Sequence, residues 1–108
     1  MKRKVVCYSL GVFGSLVLMS GSCDKKEVVC DGNHAELTYE KDIKPIIDDN
    51  CIHCHEGYSS FTGLKVSINN GAFEREVIVR QTMPQGGKLK MEELVMIKCW
   101  LDGGADEK

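Results

Sequence analysis

Two cysteines three positions apart, followed at once by a histidine, make Cys51-Ile52-His53-Cys54-His55 the stretch best equipped for chemistry. On a helical turn, residues three and four apart share a face, so both sulfurs can meet one flat ligand while His55 presents its imidazole beside them. Covalent haem attachment needs that set: two thioether bonds to the porphyrin and one proximal nitrogen for the iron. Two other chemistries use paired cysteines. A zinc cluster would take Cys51, Cys54 and a histidine, with a fourth ligand from Cys30 or Cys99, but no second paired Cys/His motif is present. A thioredoxin-like dithiol would need a flanking βαβ pattern, and none is visible in the sequence. Haem attachment is the expected chemistry.

The motif must be held by the segment before it. Thr38 can cap a helix running from Tyr39 to about Asn50, and Ile43, Ile46 and Ile47 give it one apolar stripe. Pro45 interrupts that span, so the helix either kinks or begins later with Asp42 as its cap. Between Glu56 and Gln81, Gly57, Gly63 and Asn69-Asn70-Gly71 suggest loops around one short helix marked by Phe73, Val77 and Ile78. Tyr58, Phe61, Leu64, Val66 and Ile68 are apolar enough to line a pocket. The run Gln81-Thr82-Met83-Pro84-Gln85-Gly86-Gly87 is an irregular loop that can aim the Met83 thioether at a metal, and a sulfur ligand raises the potential of haem iron. Met91 and Met96 are rivals on a last helix from about Met91 to Leu101. Gly103-Gly104 ends it, and Lys90 is a poor N-cap.

The chain begins with Lys2-Arg3-Lys4, an apolar run from Val5 to Met19, and Ser20-Gly21-Ser22 before Cys23. That order describes an export signal over residues 1–22, too short in its apolar part for a comfortable span of about 20 residues. Cys23 is the expected lipid attachment site, although Ser20 stands where a lipobox usually has leucine. Ordinary secretion with cleavage near Ser22 is the alternative. The expected location is the bacterial cell envelope, lipid-anchored on the periplasmic or outer face. Export leaves Cys30 and Cys99 as an even pair in an oxidising compartment, where a disulfide is expected. Two free thiols are the alternative, because spacing alone does not fix connectivity. Residues 23–36 read as a polar tether and 37–108 as one small domain.

The mature chain would carry 11 Lys and Arg against 16 Asp and Glu, a balance that disfavours nucleic acid or an anionic membrane surface as a partner of the chain as a whole. A domain this small is marginal without a staple, and a buried macrocycle would enlarge its apolar interior. His34 lies in the tether and carries no assigned role.

Taken together, Tyr39 to His55, Met83-Pro84, and Glu92-Glu93-Leu94 through Trp100-Leu101-Asp102-Gly103-Gly104-Ala105 resemble a small mono-haem cytochrome c domain of the class I type, in lipoprotein form. The resemblance covers about residues 37 to 106. It implies an all-α fold with long loops, the first and last helices packed beside one covalently bound haem c. Carried over by position, it makes Cys51 and Cys54 the thioether anchors, His55 the proximal iron ligand and Met83 the distal one. His53 falls in a variable slot and should point away from the iron. Many family members have a proline shortly after the motif whose carbonyl orients the imidazole; none occurs between His55 and Met83. The resemblance also favours a Cys30–Cys99 bridge from tether to last helix.

The function expected from this set is one-electron transport, not enzymatic turnover. Its partners would be redox proteins, respiratory-chain components among them, with an acidic patch facing Arg80, Lys88 and Lys90. The alternative is a haem-based sensor or peroxidase-like protein with a displaceable distal ligand.

Overall fold

The computed structural model describes residues 25–34 and 36–108; the expected signal segment 1–22 and Cys23 lie outside the described residues. The described chain is all-α, with no strand among the described residues.

Pro45 shapes the first helix without ending it. Lacking an N–H, it cannot bond back to Lys41, and the turns before it widen: Tyr39–Ile43 is a π-helical segment whose Tyr39 carbonyl accepts from the Lys44 N–H. Helix α1, Lys44–Asn50, continues directly, with Pro45 in its first turn where a missing donor costs nothing. Thr38 does occupy the N-cap, but its side chain caps nothing; the Asp42 carboxylate instead accepts from the Thr38 N–H at 2.9 Å. Tyr39, Ile43 and Ile47, four apart, form the buried stripe.

The segment expected to be loop and one short helix contains three helical pieces. Helix α2, Phe61–Asn69, starts at Ser60, whose hydroxyl accepts from the Gly63 N–H at 3.1 Å. A short 3-10 turn, Glu56–Ser59, precedes it. Gly63, which reads as a breaker, sits inside α2 for a packing reason: a Cβ there would run into the Gly57 carbonyl. Gly63→Ala is therefore expected to lower stability by roughly 1–3 kcal/mol, the cost of overpacking, measurable as a reduced urea midpoint. The helical period of α2 buries Leu64 and leaves Val66 exposed, so Val66 lines no pocket. Helix α3, Ala72–Glu74, runs into a second π segment, Arg75–Val79, which keeps Phe73, Val77 and Ile78 buried.

Helix α4, Met91–Asp102, begins where Lys90 was expected to be a poor cap; the Glu93 carboxylate compensates by accepting the Lys90 backbone N–H at 2.9 Å. After Gly103 the chain folds back, so that the Ala105 N–H bonds to the Trp100 carbonyl and the Trp100 indole N–H donates to the Asp106 carbonyl. The Gly-Gly-Ala ending thereby fixes the indole. The first and last helices meet there: Tyr39 stacks on Trp100 at 5.9 Å and meets Phe61 edge-on at 5.1 Å. Ile43, Ile47, Leu64 and Ile97, all fully buried, complete the interior.

The segment expected to be a tether is docked along residues 26–30. Val28 is buried in the core, the Lys26 carbonyl accepts from Gln81 Nε2 at 2.7 Å, and Cys30 is bonded to Cys99. One buried apolar residue, one hydrogen bond and a covalent link hold a stretch that its polar composition marks as free.

Candidate functional site

The Cys-x-x-Cys-His stretch continues α1 as a further turn. The Cys51 N–H bonds to the Ile47 carbonyl at 2.8 Å, and the Cys51 carbonyl accepts from the His55 N–H at 2.9 Å and the Cys54 N–H at 3.3 Å. Helical hydrogen bonding across the motif places both cysteines and the histidine along one side of a cleft.

That cleft has a volume of about 410 Å³, within the roughly 300–1,000 Å³ typical of small-molecule sites. Cys51, Cys54 and His55 line it together with Met83, which the structure brings in from a loop 28 residues further along the chain than His55. Phe73, Val77 and Pro84 supply apolar wall, and Tyr58 and Ser67 supply a polar pair. The donor set is two sulfurs on one turn, an imidazole and a thioether around an apolar space. Those residues fit a covalently held haem with nitrogen and sulfur axial ligands.

His55 is oriented by an aromatic neighbour. Its ring stacks on Tyr58 with centroids 4.8 Å apart and planes 14° apart. Tyr58 is in turn fixed by its hydroxyl, which donates to Ser67 Oγ at 2.8 Å, and by an edge contact with Phe73. The proline missing after the motif thus has a steric counterpart in Tyr58, although a stack restrains a ring plane and accepts no proton.

Glu76 fastens the Met83 loop. Its carboxylate accepts from the Thr82 hydroxyl at 2.6 Å and from Arg75 and Arg80 at 3.1 and 3.2 Å, while its backbone carbonyl accepts from the Thr82 and Met83 N–H groups at 2.9 and 3.4 Å. Sequence reasoning passed over this residue; the Glu76/Arg80 spacing marks a helical ion pair, but no sequence pattern reveals a bond across to Thr82. The Thr82 hydroxyl, followed by the arginines, lowers the Glu76 carboxyl below its ordinary value of 4.5. A carboxylate depressed in the folded state stabilises above the unfolded pKa, and the benefit is lost as pH falls through the folded one. Acidification below the ordinary carboxylate range should therefore loosen the loop, seen as lower hydrogen-exchange protection factors, corrected for the intrinsic rate at each pH, for the Thr82 and Met83 amides.

Burial pushes the Cys51 thiol up to about 11. A redox-active dithiol needs the opposite shift, and no strand of a flanking βαβ unit is present among the described residues; both count against the thioredoxin-like alternative. The zinc alternative loses its fourth ligand, because Cys30 and Cys99 are bonded to each other and do not line the cleft. His53 is exposed and belongs to a separate shallow depression with Ile52, Glu56 and Ser59. His34 lies beside Asp31, and neither Met91 nor Met96 reaches the cleft.

Of the expected basic rim, Arg80 is engaged by Glu76, whereas Lys88 and Lys90 are exposed and have no acidic partner among the described residues. Comparison with known proteins returns no match: no protein-family model, no curated protein and no solved structure matches this chain.

Proposed function

We propose that the chain is a cytochrome c-like electron carrier holding one haem c, with Cys51 and Cys54 as thioether anchors, His55 as proximal ligand and Met83 as distal ligand. The observation that carries this reading is the convergence of those four side chains on one cleft from two separate parts of the sequence. Bound there, the haem would supply a single Fe(III)/Fe(II) couple with both axial positions taken.

The chain's own residues do the rest. Phe73, Val77 and Tyr58 give the cleft an apolar and aromatic wall, which would favour the less charged state of a redox centre held there. Tyr58 holds the His55 ring plane, and Glu76 with Thr82 holds the loop that presents Met83. Lys88 and Lys90 give a partner with an acidic patch a place to dock. Export and lipidation at Cys23 would keep the carrier at the bacterial cell envelope.

The alternative, a sensor or peroxidase-like protein, is favoured by one observation: Glu76 places a carboxylate on the cleft wall near Met83. Its pairing with Thr82, Arg75 and Arg80 leaves it poorly disposed to shuttle protons. Exposing purified ferrous holoprotein to carbon monoxide, and ferric protein to peroxide, separates the two. A carrier should bind the gas weakly and turn over no peroxide. Tight binding with turnover would overturn the carrier reading.

A further inference from the structure

The N-terminal segment leaves the domain at one defined place. The Lys26 carbonyl is held by Gln81 Nε2 at 2.7 Å, Val28 is sunk in the core, and Cys30 is bonded to α4 through Cys99. Chain preceding Lys26 therefore departs from beside the Met83 loop. Cys23 lies three residues upstream, and three residues span at most about 11 Å even when fully extended. Whatever holds Cys23 at a bilayer brings the surface around Gln81 there too.

That surface has an unusual composition. Val29 is 62% exposed and Val79 66% exposed, two of only four large exposed hydrophobics among the described residues. Each lies within three residues of the Lys26–Gln81 contact. Lys25, Lys26 and Arg80, close to these valines in sequence on the two segments that the Lys26–Gln81 bond joins, are exposed; Glu27 is an exposed acid in the same stretch, and Arg80 is shared with Glu76. A lone exposed valine means nothing. Two flanking the chain exit, with basic residues around them, suit a lipid interface, where apolar side chains enter the acyl boundary and cations meet phosphate.

We propose that the face carrying Val29, Val79, Lys25, Lys26 and Arg80 rests on a phospholipid bilayer. This deepens the proposed function and depends on its membrane-anchoring part, not on the haem. It brings the Gln81 end of the Met83 loop close to the membrane surface.

The test uses the full mature protein as the cell processes it, isotope-labelled, with any haem iron reduced by ascorbate so that the disulfide stays intact, and reconstituted into phosphatidylglycerol/phosphatidylethanolamine nanodiscs carrying gadolinium-chelate headgroups. The amide signals of Val29, Val79 and Arg80 should be lost while Val66, equally exposed on α2, keeps its own. Val79→Asp should restore signal at Val29 and Arg80 without releasing the protein from the discs. Equal intensity at all these positions, or selective loss at Val66, overturns the proposal. Failure to co-isolate with discs overturns the anchoring reading and this face with it. Colour of the sample reports separately on haem.

Discussion

Mature protein carrying Met83→Ala is expected to keep its haem covalently bound and lose the weak far-red methionine–iron charge-transfer band of its oxidised form. Its midpoint potential should fall by more than about 0.1 V, a fraction of the roughly 0.8 V over which axial ligands tune haem iron. Met83 is half-buried on the cleft wall, at the core's edge, so its truncation should leave the fold intact. Neither Met91 nor Met96 lines the cleft, and Met91→Ala and Met96→Ala should leave band and potential unchanged. An unaltered potential in Met83→Ala would place the distal ligand elsewhere. Potentiometric titration of the three variants makes the comparison.

The second large effect belongs to the disulfide. Cys30 and Cys99 are 69 residues apart in sequence, and closing a loop of that length restricts the unfolded chain by roughly 4 kcal/mol in the chain-entropy picture. Domains of this kind have only about 5–15 kcal/mol in total. The double replacement Cys30→Ser with Cys99→Ser should therefore cost a large part of the stability, with a lower urea midpoint. Part of the loss should appear locally, as faster hydrogen exchange at Val28, because only the Gln81 bond and the Val28 side chain would then hold the segment. An unchanged midpoint would contradict a bridge in the mature protein.

Local signals made much of this site legible. The Cys51, Cys54, His55 spacing needs only helical geometry to be read, and helix α4 follows from its apolar stripe and the glycines after it. Met83 was readable as a candidate because proline and glycines mark its loop. Helix α2 was not, since Gly63 and Asn69-Asn70-Gly71 look like breakers; Gly63 answers instead to the Gly57 carbonyl, a contact that only the folded chain contains. The same holds for Val28, which is buried two residues before a cysteine bonded far along the sequence. Glu76 was hidden for a related reason: its role lies in bonds to a loop, not in its position on a helix. Pro45 pointed to a disturbance in the first helix, which takes the form of a wide turn ahead of it.

The most direct measurement is a visible spectrum of the isolated polypeptide after expression with a working haem-attachment system, taken in denaturant following acid–acetone extraction. Haem absorbance should stay with the chain, one equivalent per polypeptide, and the pair Cys51→Ser with Cys54→Ser should release it to the solvent. A colourless chain, or one carrying a zinc ion in place of a porphyrin, would contradict the proposed cofactor and the function built on it.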